Sequence, residues 1–186
     1  MNETSQRRLL WALFVVYLVL LTWVVLWKTA VPYVGEAAFL PHPFKLVPFV
    51  SDGEAGASEP GEVLANVFLF VPFGVYVGLI APRWRWWQAL AVFLAASLFL
   101  ELAEHFLSLG SFDITDVIAN AAGGLAGLGV LALARRRLGE RTAEVVTKVM
   151  AAVTVLSVIV LAVYVASPLR YEPLRDVVVS ISPSTE

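Results

Sequence analysis

Long apolar runs, separated by short clusters of charge, proline and glycine, organise this chain. Taking those clusters as boundaries gives about five apolar spans, near residues 9–27, 63–81, 86–107, 112–134 and 149–166. Each is close to the roughly 20 residues a helix needs to cross a hydrocarbon core about 30 Å thick. The pattern predicts an all-α, polytopic transmembrane helical bundle. The first run, Leu9 to Trp27, follows Arg7 and Arg8 but is long for the apolar core of a signal peptide, and no small-x-small cleavage site follows it promptly. It reads as a retained helix. Residues 29–62 read as a loop whose second half, Ser51-Asp-Gly-Glu-Ala-Gly-Ala-Ser-Glu-Pro-Gly61, is too poor in apolar side chains to pack. Residues 167–186 read as a short tail that is polar at its end. No internal repeat interrupts the sequence, and 1–186 is expected to form a single membrane domain.

Composition agrees with lipid as the solvent. Apolar residues make up 59% of the 186, and mean hydropathy is +0.80, too hydrophobic for a soluble domain of this size. The net charge of −2 is small and the positive charges flank apolar runs, which argues against nucleic acid as a partner. The absence of cysteine excludes disulfides, thiolate metal sites and a cysteine nucleophile.

Lysine and arginine set the expected orientation, because short loops rich in them stay cytoplasmic. Arg7 and Arg8, Arg83 and Arg85, and Arg135, Arg136, Arg137, Arg141 and Lys148 all fall on one side of the five spans. The N-terminus is therefore expected inside and the C-terminus outside, with 29–62 and 167–186 external.

With that topology, the ionisable groups within the spans fall in the outer half of the bilayer. Asn66 lies about one turn into the second span. Glu101, Glu104 and His105 stand at i, i+3 and i+4 near the outer end of the third, and Asp113, Asp116 and Asn120 at i, i+3 and i+7 in the fourth. Each set makes one polar face, and the short link at Ser108 to Ser111 makes the two helices antiparallel neighbours. Together they predict an acidic pocket open to the exterior. Plainer roles exist for several members: Asp113 and Asp116 as cap and dipole partners at a helix N-terminus, Asn66 and Asn120 as interhelical hydrogen-bond links, and His105 as a side chain reaching the interface. Glu101 is the hardest to explain structurally, since a carboxylate about two turns deep costs a few kcal/mol unless paired or protonated. Four facing carboxylates require protons, His105, a metal ion or a basic loop residue, for which Lys45 and Arg170 are candidates. Glu101-Leu-Ala-Glu104-His105 lacks the first histidine of a zinc-binding helix. Hard oxygen ligands from Asp113, Asp116 and Glu104 would suit a divalent cation such as magnesium or calcium better. Small residues around Gly123, Gly124 and Gly127 predict a close helix crossing, and Pro72 with Gly74 a kink.

These residues carry a family resemblance. Asn66-Val-Phe-Leu-Phe-Val-Pro72-Phe-Gly74, Glu101, Phe112-Asp113-Ile-Thr-Asp116-Val-Ile-Ala-Asn120-Ala-Ala-Gly123-Gly124, and Leu46-Val-Pro48-Phe49 together make the chain resemble the VanZ-like proteins over about residues 10–135. These are small bacterial membrane proteins named for a teicoplanin-resistance accessory factor. The resemblance implies the bacterial cytoplasmic membrane, envelope biology, and glycopeptide resistance in some members, without an established reaction. The family commonly carries Gln where this chain has Glu104 and Arg where it has Gly110, so both departures make this pocket more acidic.

The leading expectation is an envelope factor embedded in the bilayer that binds a lipid-linked or cell-wall component through the outer pocket, using Asn66, Glu101, Glu104, His105, Asp113, Asp116 and Asn120. A metal-assisted hydrolase or transferase acting on a lipid head group is an alternative, with Asp113 and Asp116 as metal ligands or Glu101 as general base. A proton-coupled transporter component is a third reading, disfavoured because the inner half of the spans offers no polar route.

Overall fold

A computed structural model describes residues 3–27, 44–49 and 60–166. Most of the loop at 29–62, the tail at 167–186 and Arg170 lie outside the described residues. The described chain is helical: α1 (Glu3–Trp27), α2 (Pro60–Ile80), α3 (Trp86–Phe106), α4 (Ile114–Leu138) and α5 (Thr142–Ala166), with one 3-10 turn at Gly139–Arg141. The segments long and apolar enough to cross a membrane are Thr4–Trp27, Pro60–Ile80, Trp86–Phe106 and the 53-residue stretch Ile114–Ala166.

That last stretch is far longer than the roughly 20 residues of one crossing, and the turn after α4 divides it. Gly139 closes α4 at φ +56°, a left-handed conformation that costs glycine little, and its N–H bonds to the Arg135 carbonyl. The chain then reverses. Arg135 reaches the Gly78 carbonyl near the end of α2, while Thr154 of α5 has come back to the Tyr76 hydroxyl, 2.8 Å away. Val160 and Leu161 lie further back still, facing Val24 of α1 and Ala65 of α2. α4 and α5 are thus antiparallel, joined by the turn at Gly139–Arg141.

α2 and α4 form the most extensive helix pair, and glycines decide how close they come. A Cβ on Gly74 would fall on the Gly124 carbonyl, one on Gly123 on the Val67 carbonyl, and one on Gly127 on the Val71 carbonyl. Backbone therefore touches backbone along nearly two turns, as small-residue membrane crossings permit. Phe93 of α3 covers Gly124 from the other side. Around this crossing sit buried aromatic rings: Phe14 stacks on Phe73 at 5.9 Å, and Phe73 meets Phe70 at 5.6 Å and Phe93 at 5.5 Å. Pro72 lies inside α2, where its ring removes a backbone donor. Tyr17 of α1 donates its hydroxyl to the Leu69 carbonyl beside that interruption, holding α1 against the altered turn.

Because the atoms beside Gly74 are backbone and cannot yield, Gly74→Ala should destabilise the protein by about 1–3 kcal/mol. Gly129→Ala, where a Cβ meets nothing within 4 Å, should leave stability unchanged. Unfolding of both variants in detergent, followed by circular dichroism, checks the pair.

Candidate functional site

The link between α3 and α4 builds the polar end of the bundle. α3 ends as the Leu107 N–H bonds to the Ala103 carbonyl and the Leu109 N–H to the Glu104 carbonyl at 3.0 Å, with Ser108 at φ 55° turning the chain. Gly110 then passes directly over Glu104, and a Cβ there would land on the Glu104 carboxyl group. The chain enters α4 through Asp113, the N-cap, whose Oδ1 accepts from the Thr115 N–H at 2.7 Å. This satisfies one of the orphan donors at the helix start.

Asp113 does more than cap. Its N–H donates to Glu101 Oε2 at 3.0 Å, and its Oδ2 takes the Lys45 ammonium at 3.0 Å. Lys45 is held in register by a parallel bridge: its N–H donates to the Phe112 carbonyl at 2.9 Å and its carbonyl accepts from the Ile114 N–H at 3.0 Å. Four residues on, the Phe49 N–H donates to Thr115 Oγ1 at 3.1 Å. The segment 44–49 is thereby clamped over the start of α4, and Lys45, at 3% exposure, is buried against its partly buried partner, at 14%. Of the two counter-charge candidates read from the sequence, Lys45 pairs with Asp113, while Arg170 lies outside the described residues.

The candidate residues divide between two environments. Asn66 of α2, Glu101 and Glu104 of α3 and Asp116 of α4 line one cavity of about 260 Å³, closed on the α1 side by Val24 and Val25. Asp113, His105 and Asn120 are not in its lining. Asp113 is engaged as described. His105 turns aside to the Phe44 ring, 4.3 Å between centroids, and to Phe106. Asn120, fully buried, donates from Nδ2 to Ser97 Oγ at 2.9 Å and ties α4 to α3, while its Oδ1 has no partner among the described residues. Glu62 joins the cavity instead. Glu62 falls within residues 29–62, which the sequence reads as a loop, but it stands four residues before Asn66 and so on the same face of α2. A proline at Pro60, the favoured first position of a helix, signals that α2 begins early enough to include it.

The cavity therefore presents carboxyl groups and one amide, with no Lys, Arg or His among its described lining residues. Glu101 is 2% exposed, and its one hydrogen bond among the described residues is the Asp113 N–H. Such a surface accepts hydrogen bonds and attracts cations; it is not built to take a phosphate or another anion. No three His, Asp or Glu side chains come together at metal-binding separation among the described residues.

Long apolar helices packed around a polar cavity define a multi-pass helical membrane protein. The chain belongs to the VanZ/LLP1 family, whose model matches residues 14–135, a stretch that contains the cavity's carboxyl groups and Lys45. It is similar to Protein VanZ of Enterococcus faecium, with 29% identity over 152 residues, covering 82% of this chain and 89% of that protein. No solved structure matches the chain.

Removing one partner of a buried ion pair leaves an uncompensated charge. Lys45→Met should therefore cost about 3–5 kcal/mol of stability, and Lys45→Met/Asp113→Asn should recover most of it. Unfolding in detergent for the two single variants and the double variant checks the coupling.

Proposed function

We propose that this protein is an envelope factor of the bacterial cytoplasmic membrane, crossing it five times with the N-terminus inside. On this reading its acidic cavity opens outward and holds the polar head of a lipid-linked or cell-wall component, and through that binding it contributes to glycopeptide tolerance. The orientation rests on Arg7, Arg8, Arg83, Arg85 and the Arg135–Lys148 cluster gathering at the end of the bundle away from the cavity.

One observation carries the ligand class. A groove of about 540 Å³ between α1, α2 and α5 is lined almost wholly by apolar side chains, among them Leu20, Leu21, Phe68, Pro72 and Leu161. Its volume lies within the roughly 300–1,000 Å³ of small-molecule sites. Val24, Ala65 and Leu69 belong both to this groove and to the acidic cavity, so the two adjoin along one wall. An amphipathic molecule fits such a pair: hydrocarbon in the groove, and a head rich in N–H or O–H donors, such as an ammonium group or sugar hydroxyls, against the carboxyl groups.

A binding role accounts for these features better than transport. Beneath the cavity the bundle is closed by Phe70, Phe73, Tyr76 and Phe93, all buried, and this apolar layer interrupts any polar path from the acidic cavity to the opposite end among the described residues. The metal-assisted reading lacks a three-ligand group among the described residues.

Native mass spectrometry of protein extracted gently from its own membranes tests the proposal. Wild type should carry a lipid of defined head group. Glu101→Gln/Asp116→Asn should lower its retention about tenfold or more, since hydrogen bonds to charged groups are worth about 1.5–3 kcal/mol each. Ala65→Phe, an exposed position on the shared wall, should lower it without altering charge. Identical lipid complements in all three proteins would refute the reading.

A further inference from the structure

The opposite end of the bundle is basic, and its basic side chains are not equivalent. Arg135 donates from Nη2 to the Gly78 carbonyl at 2.7 Å, and Lys148 pairs with Glu144 at 2.6 Å. Arg7 and Arg83 are different. Neither makes a hydrogen bond or ion pair with another described residue, yet both line one cavity of about 310 Å³. That cavity lies where three parts of the chain meet: Gln6 and Arg7 from the start of α1, Pro82 and Arg83 from the α2–α3 connection, and Ala143 and Thr147 from the start of α5. Both arginines border one cavity, and none of its described lining residues is acidic.

Beside this cavity runs an apolar crevice of about 470 Å³, sharing Trp11, Ile80, Pro82 and Arg83 with it and bounded further by Phe14 and Val92. Trp11 and Trp84 stand at its edge, 44% and 50% exposed. Tryptophan at that depth is the usual marker of the boundary between head groups and acyl chains.

We propose that this pair of cavities is a binding site for an anionic phospholipid, with a phosphate between Arg7 and Arg83 and an acyl chain along the crevice between Trp11 and Val92. Charge and shape both select that occupant. Guanidinium groups recognise phosphate through paired N–H donors, and basic pockets between transmembrane helices at the cytoplasmic face take anionic head groups. A zwitterionic lipid would bring its own cation towards two arginines, and a free phosphate would leave the crevice unused. The site is independent of the acidic cavity, from which it is separated by the aromatic core, and it takes the opposite charge. Its occupant would brace α1, the α2–α3 connection and α5 against one another where the described cavity lining holds no carboxylate.

Purified protein in mild detergent, titrated separately with phosphatidylglycerol, phosphatidylcholine and inorganic phosphate under native mass spectrometry, tests the site. Wild type should retain phosphatidylglycerol over phosphatidylcholine by about tenfold or more, given about 1 kcal/mol per basic residue near an anionic surface. Raising the salt concentration should weaken the preference. Arg7→Gln/Arg83→Gln should abolish it. Both arginines are exposed, so an unfolding midpoint equal to wild type is expected, and Arg83→Gln alone serves if the double variant is unstable. Arg136→Gln/Arg137→Gln removes the same charge at exposed positions outside these cavities, and should keep the preference. An equal loss in that control would reduce the effect to diffuse attraction and overturn the site. So would unchanged retention in the Arg7 and Arg83 variants, or inorganic phosphate binding as tightly as the lipid.

Discussion

Gly74 and Gly124 let the backbones of α2 and α4 pass so closely that a single Cβ on either would strike an atom that cannot move away: the Gly124 carbonyl in one case, the Phe93 ring in the other. In a bilayer, lipid chains are as apolar as leucine, so helices associate through close contact rather than through escape from water. Here that contact also sets positions. It fixes Asn66 and Glu62 of α2 opposite Asp116 of α4, and it puts Phe93 and Ser97 of α3 within reach of Gly124 and Asn120. The aromatic layer of Phe70, Phe73 and Phe93 then separates the acidic end from the basic end.

Polar groups at the acidic end are joined by connections rather than merely tolerated. Lys45 bonds Asp113, Asp113 caps α4 and donates its N–H to Glu101, and Thr115 returns a hydroxyl oxygen to the Phe49 N–H. Burying Lys45 and Asp113 separately would be expensive, while burying them together with backbone donors around them costs far less. The arrangement consumes one carboxylate in structure and leaves Glu62, Glu101, Glu104 and Asp116 facing shared space. The same residues that stabilise the loop across α4 therefore also keep the only described buried lysine out of the cavity.

Much of this was legible in the sequence, and the limits are physical. The helices follow from run length, and the spacing of Glu101 with Glu104 and the position of Asp116 agree with the one cavity these three side chains line. Spacing gives a face but not its rotation: at about 100° per residue, Glu104 and His105 lie on opposite flanks of Glu101. The bundle turns the Glu104 flank inward and leaves His105 against Phe44. Asn120, a turn beyond Asp116, meets Ser97 rather than the cavity. The Lys45–Asp113 pair spans 68 positions in the chain and depends on a loop that turns at Phe49, φ 61°. No local pattern encodes such a pairing, although the need for a counter-charge did point to Lys45. Glu62 was missed because its neighbours read as loop, and only the proline at the start of α2 marks it as helical.

Glu104 and Gly110, two positions at which the sequence reading expects a departure from VanZ-like proteins, lie against each other, since a Cβ on Gly110 would occupy the space of the Glu104 carboxyl group. They are one local change rather than two. An arginine at 110 would have to displace or pair with whatever stands at 104, and a glutamine there offers an amide to share that space. With glycine at 110, the carboxyl group of Glu104 takes the room, and Glu104 lines the cavity. On the proposed reading, a head group rich in N–H or O–H donors suits this pair of residues, and an anionic one would meet repulsion from the Glu104 carboxylate.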